Sequence, residues 1–160
     1  MKKLILVAVL LLTVSTLSFG QSAVANVTAN VNGTLSIANT GALALGNVPL
    51  NGTVTILSTQ AGAATFTVTG AVLAATTINV TFPSNLVFSG NDLPFTGQIP
   101  RYNTVAVQGT STAFGALTGG STTSSAGGNL WLWVGGGVTA GASQTVGQYT
   151  GTITVGVTQP

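Results

Sequence analysis

The stretch Gly147–Thr158, GQYTGTITVGVT, decides the reading of this chain. Side chains alternate across an extended strand. Tyr149, Ile153, Val155 and Val157 therefore share one face with Gly151. Thr150, Thr152, Thr154 and Thr158 share the other with Gly156. Val and Thr are β-branched and suit a pleated surface. The spacing predicts a strand with one apolar edge and one hydroxyl edge, close to the C-terminus. A strand so patterned needs a partner, from its own chain or from a neighbouring molecule.

The composition agrees with a β protein of an unusual kind. Charged residues make up 2% of the 160 residues, against about 25% in ordinary globular proteins. The acid is Asp92 and the bases are Lys2, Lys3 and Arg101, with no Glu, His or Cys. Without His there is neither the commonest general base nor the commonest metal ligand. Without Cys there are no disulfides, thiolate nucleophiles or zinc–thiolate sites. A single carboxylate cannot form a glycosidase pair. No enzyme, cofactor or metal site is expected.

Residues 1–20 read as a cleaved secretory signal peptide. Lys2 and Lys3 form a positive start, Leu4 to Leu12 an apolar run too short to span a bilayer, and Thr13 to Gly20 a polar end with small residues. Cleavage after Gly20 is favoured; Ala23-Val24-Ala25 is the other site. Without its leader the chain keeps Arg101 against Asp92 and is formally neutral. That leaves no basic patch for nucleic acid and little electrostatic protection against self-association.

Next comes a second alternating stretch, residues 21–32. Ala23, Ala25, Val27, Ala29 and Val31 lie on one face and Asn26, Thr28 and Asn30 on the other. Leu35 and Ile37 continue the alternation, Asn39 to Gly41 read as a turn, and Leu43 and Leu45 as a short strand. Asn51-Gly52 is a hairpin signal, followed by a strand at Val54–Leu57. Strands are also expected at Thr65–Thr69, Thr76–Phe82, Leu86–Phe88, Val105–Val107 and Leu130–Val134. Ser89 to Asn103 reads as irregular, with Asp92 and Arg101 as solvated loop charges. Gly109 to Asn129 reads as a long loop or weak edge hairpin around Phe114 and Leu117. Gly135-Gly136-Gly137 reads as a flexible turn. Short strands with turns between them, and no helical period beyond the leader, predict an all-β antiparallel sandwich over residues 33–160.

Two sets of residues are candidates for function. Trp131 and Trp133 share one face of a strand, opposite Leu130, Leu132 and Val134. They are either core, or subunit interface, or an indole pair able to stack on sugars. The N-terminal stretch is either the first strand of its own domain or a donor strand completing the sheet of a second copy. In the second case Ala23, Ala25, Val27, Ala29 and Val31 are the donor residues. Tyr149, Ile153, Val155 and Val157 form one wall of the acceptor groove.

Leu132 to Val157, LWVGGGVTAGASQTVGQYTGTITVGV, resembles the C-terminal signature of a bacterial family of secreted β proteins, the domain of unknown function family 4402. The alternating Ala/Val/Thr start, the Leu35 and Ile37 strand, Leu43 to Gly46 and the block Ala64 to Gly70 resemble the family's N-terminal half. The family is similar to pilins of Ig-like fold, many of them taken as fimbrial subunits. The resemblance implies a secreted structural subunit of an extracellular or cell-surface filament, polymerising with copies of itself, with a secretion or assembly chaperone as a further partner. Gly147 matches a glycine position of chaperone–usher pilins, whereas Gln159 stands where those pilins carry an aromatic. The alternative is a monomeric carbohydrate-binding or adhesin module using Trp131 and Trp133.

Overall fold

The computed structural model describes residues 34–70 and 72–159. The expected leader and the expected donor stretch, residues 1–32, lie outside them. The described chain is all-β, with three antiparallel sheets and no α-helix. No helix among the described residues is long and apolar enough to cross a membrane.

The strands are β1 (Ser36–Gly41), β2 (Thr53–Ile56), β3 (Ala64–Thr69), β4 (Ala75–Thr81), β5 (Asn85–Phe88), β6 (Asn91–Gly97), β7 (Arg101–Asn103), β8 (Thr112–Ala113), β9 (Gly119–Thr123), β10 (Asn129–Val134), β11 (Gly136–Thr139) and β12 (Thr154–Thr158). They form a five-stranded sheet in the order β1-β3-β10-β7-β8, a four-stranded sheet β2-β11-β6-β5 and a three-stranded sheet β12-β4-β9.

Period-two alternation explains the main core. In β3, Ala64, Phe66 and Val68 are buried, while Thr65, Thr67 and Thr69 face outward. In β10, Leu130, Leu132 and Val134 are fully buried. In β4, Ile78 and Val80 point inward. These side chains and Phe114 form one cluster between the five- and three-stranded sheets, which therefore pack face to face. A smaller cluster of Leu93, Val138 and Ala140, flanked by Leu45, Val48, Leu86, Phe95 and Tyr149, belongs to the four-stranded sheet.

Short passages from sheet to sheet include β4 to β5 through residues 82–84, β6 to β7 through residues 98–100 and β10 to β11 through Gly135. The expected flexible turn at the three glycines is instead a tightly packed seam. A β-carbon at Gly135 would lie 2.6 Å from the Ser58 amide nitrogen, and one at Gly137 would lie 2.5 Å from Thr55 Oγ1. At Gly136 it would run into the Phe95 ring. The buried Ser58 hydroxyl ties the seam, accepting from the Gly135 amide at 2.9 Å and donating to the Ile99 carbonyl at 2.8 Å.

Several expectations are corrected. Ser89 to Asn103 is not irregular but carries β6 and β7, so Asp92 and Arg101 are strand residues. Pro94 is tolerated because pairing with β11 stops at Phe95, opposite Val138, just before it. Val105 to Val107 is not a strand; it leads into a 3-10 turn at Gln108–Thr110 and exposes both valines. Within Gly109 to Asn129, β8 adds to β7 and β9 to β4. Asn39 to Gly41 ends β1 instead of turning, and Leu43 and Leu45 lie in non-strand backbone.

Candidate strand-acceptor groove

Only the second half of the opening stretch is a strand. β12 pairs with β4 from Thr154 opposite Thr81 to Thr158 opposite Thr77. Beyond β12, the Gln159 amide donates to Thr76 Oγ1 at 2.9 Å. Val155 and Val157 are partly buried, while Thr154, Gly156 and Thr158 are exposed, as alternation requires. The first half crosses a different sheet. Thr150 exchanges both backbone hydrogen bonds with Val87 of β5, at 3.1 and 2.8 Å. The glycines let this half run close against β5. A β-carbon at Gly151 would meet Leu86 Cδ2 at 2.5 Å, and one at Gly147 would strike the Phe88 ring.

The four proposed wall residues are therefore divided. Ile153, Val155 and Val157 pack against the main core. Tyr149 packs against the smaller one, with its ring 5.7 Å from that of Phe88. Its hydroxyl donates to the Thr145 carbonyl at 2.8 Å and accepts from Gln144 Nε2 at 2.6 Å.

β12 is an edge strand, and so is β1. They lie on the same flank of the sandwich. The position a β-carbon would take at Gly120 of β9 is 3.1 Å from Phe114, which follows β8. This puts β9 over the β8 side of the five-stranded sheet and β12 over the β1 side. Leu35, at the entry to β1, packs into the same core as Ile153, Val155 and Val157. Among the described residues no strand pairs with the outer edge of either β1 or β12.

Where β1 ends and β12 has not begun, the flank opens into a cleft of about 1090 Å³. Leu43, Leu45, Phe66, Leu93, Tyr149 and Ile153 are among the side chains lining it, and none of its lining residues is charged. Small-molecule pockets span about 300–1,000 Å³, so this one has room for a length of chain. Its second wall, residues 42–50, went unrecognised in the sequence. Gly46, at φ 66°, and Pro49 were the signal that Leu43 and Leu45 could not stay in a sheet.

The donor residues Ala23, Ala25, Val27, Ala29 and Val31 lie outside the described residues. Trp131 is partly buried, opposite Thr67 and Asn103. Trp133 is only 6% exposed. Gln108, beyond β7, donates to the Ser58 and Gln60 carbonyls ahead of β3, joining the two neighbours of β10. The pair does not present two open indole faces. Arg101 is held by Ser111, through Nε to Oγ at 2.9 Å and through Nη2 to the carbonyl, while Asp92 accepts from Asn85 at 3.2 Å.

The described chain thus defines an all-β, sandwich-like protein whose β1 and β12 edges are unpaired and uncharged among these residues. It belongs to the family described as Domain of unknown function (DUF4402), whose model matches residues 11–158. No curated protein matches the chain.

Proposed function

We propose that the protein is a structural subunit of a secreted, cell-surface filament, with a sandwich of the Ig-like, pilin-like kind. Subunits join when residues 21–32 of one copy add a strand to the open edge of β12 in the next. The observation that carries this reading is the pair of edges, β1 and β12, unpaired among the described residues, flanking partly buried Leu35, Ile153, Val155 and Val157 and running into an uncharged cleft. Strand addition supplies backbone hydrogen bonds, each contributing about 0.5–1.5 kcal/mol net. Alternate side chains then set the register.

The polarity follows from where the chain enters the domain. β1 starts at Ser36, opposite Thr69, at the end of the sandwich away from the cleft. A donor leaving from that end and reaching the cleft end of the next subunit runs antiparallel to β12. Val31 and Ala29 then lie in the cleft beside Tyr149, and Ala23 and Ala25 lie against Val155 and Val157.

Deleting Gln21 to Asn32 tests the joint. The truncated chain is expected to fold, to stay soluble and to form no filaments by electron microscopy. A synthetic peptide of residues 21–32 is expected to bind it and raise its Tm. Filaments formed by the truncated chain would overturn strand donation.

A further inference from the structure

The two ends of the sandwich carry apolar side chains that nothing in the described chain covers. At one end, beyond β3, Val72 is 59% and Leu73 is 65% exposed. The Leu73 and Ala74 amides bond to the Ser125 carbonyl and to Ser124 Oγ, which fixes this tip against the β9–β10 connection. Leu73 is held at φ 51°, a left-handed conformation that a branched apolar residue rarely adopts. Asn or Gly would fit the backbone better, so the leucine is not there to suit the turn.

At the other end, Leu50 is 52% and Val146 is 81% exposed. Both line the mouth of the cleft. The Leu50 turn is fixed to the β11 end by Asn51 N–H to the Gly141 carbonyl at 3.3 Å and Ala140 N–H to the Gly52 carbonyl at 2.8 Å. β10 and β11 run in succession from the tip end, at Asn129, to the cleft end, at Thr139. Tip and cleft mouth are thus at opposite ends of the domain.

We infer that these ends form a second contact between copies of this chain, with Val72 and Leu73 of one subunit seated against Leu50 and Val146 at the cleft mouth of the next. The inference rests on the filament reading above. Three observations select a second copy as the occupant. The chain enters β1 at the tip end, with Ser36 opposite Thr69, so a strand donated from the residues before it would bring the tip to its neighbour's cleft end. Both surfaces are apolar, and neither carries a charge that an acidic or basic partner would recognise. Tip and mouth are different surfaces, so the contact is heterologous and propagates along an axis instead of closing a dimer.

The chain has no cysteine, so thiols report only where they are introduced. A Leu73→Cys/Val146→Cys double variant of the full chain, oxidised after assembly, is expected to run as a ladder of covalent multimers on a non-reducing gel. Leu73→Cys and Val146→Cys alone should stay single chains, because disulfides need α-carbons within about 7 Å. Dimers from Leu73→Cys alone would mean a tip-to-tip contact and overturn the inference. Visible filaments without a ladder from the double variant would do the same.

As a second measurement, Val72→Ser/Leu73→Asn should keep or raise the Tm of the subunit and raise the concentration needed for filaments by about tenfold or more. Unchanged assembly would overturn the end contact while leaving strand donation intact. An unsubstituted chain that forms no filaments overturns the filament reading, and the end contact falls with it.

Discussion

Gly135→Ala tests whether the three glycines are a loose turn or a packed seam. The added methyl would lie 2.6 Å from the Ser58 nitrogen and 2.8 Å from the Leu57 carbonyl carbon, both backbone atoms that cannot rotate away. Relief requires β11 to move from β2, whose register runs from Gly136 opposite Ile56 to Thr139 opposite Thr53. The movement strains two further hydrogen bonds, Gly135 N–H to Ser58 Oγ at 2.9 Å and Gln98 N–H to the Gly135 carbonyl at 3.1 Å. Overpacking costs about 1–3 kcal/mol and each of the two weakened hydrogen bonds about 0.5–1.5, so the expected loss is about 2–6 kcal/mol. Set against a typical stability of about 5–15 kcal/mol, that is severe. With a urea slope near 2 kcal/mol/M, the unfolding midpoint drops by about 2 M. Gly141→Ala is the internal control. Nothing lies within 4 Å of its added methyl, and loss of unfolded-state freedom should stabilise the fold by about 0.4–1 kcal/mol. If Gly135→Ala unfolds within about 0.5 kcal/mol of the unsubstituted chain, the seam is a loose turn and the packing argument is wrong.

Other substitutions probe neighbouring features by the same denaturation measurement. Ser58→Ala strands the Gly135 amide and the Ile99 carbonyl and should cost about 1–3 kcal/mol; a neutral result would mean that water replaces the hydroxyl. Leu132→Ala empties a fully buried site in the main core and should cost about 2–5 kcal/mol. Tyr149→Phe removes the bonds to Thr145 and Gln144 and should cost about 1 kcal/mol while retaining the ring contact with Phe88. The Tyr149 side chain positions one wall of the cleft, so peptide 21–32 should bind this variant more weakly.

The strands visible in the sequence are those with one buried face. β3, β4, β10 and β12 follow alternation because a slip of one residue would turn Phe66, Ile78, Leu132 or Val155 to solvent. β6 was hidden because Pro94 interrupts NDLPFTG and its alternation rests on Leu93 and Phe95 alone, neither of them β-branched. It is a strand because β5 and β11 flank it on both sides, a property of its neighbours and not of its residues. Val105 to Val107 had the composition of a strand but no neighbour, and became a turn. Glycine was the least legible residue. Gly147 and Gly151 looked like gaps in an apolar face, yet each is where a side chain of β5 meets the backbone. Alternation says which way a side chain points and is silent on which strand lies alongside. That is why the candidate groove could be named by one wall, Tyr149 to Val157, and why its other wall, residues 42–50, was missed.

The placement of the two charges bears on whether the open flank is accidental. Soluble β proteins blunt exposed edges with lysines, prolines or bulges, because an unpaired edge is a template for association. The charges of the described chain lie elsewhere: Asp92 on β6, between β11 and β5, and Arg101 on β7, between β10 and β8. β12 reads TVGVT and β1 reads SIANTG, with no charge and no proline in either. The bulge in β1 between Asn39 and Gly41 falls at the cleft end and leaves the rest of its edge regular. At the other edge of the five-stranded sheet the hazard is limited by shortness, since β8 has two residues. β9, at the far edge of the three-stranded sheet, reads GGSTT and is as long and uncharged as β12, so what sets the β1 and β12 flank apart is that its apolar residues are only partly buried and the cleft opens there. Under the proposed strand donation this lack of charge is a condition of assembly: a lysine pointing into the groove would have to be desolvated each time a subunit joined.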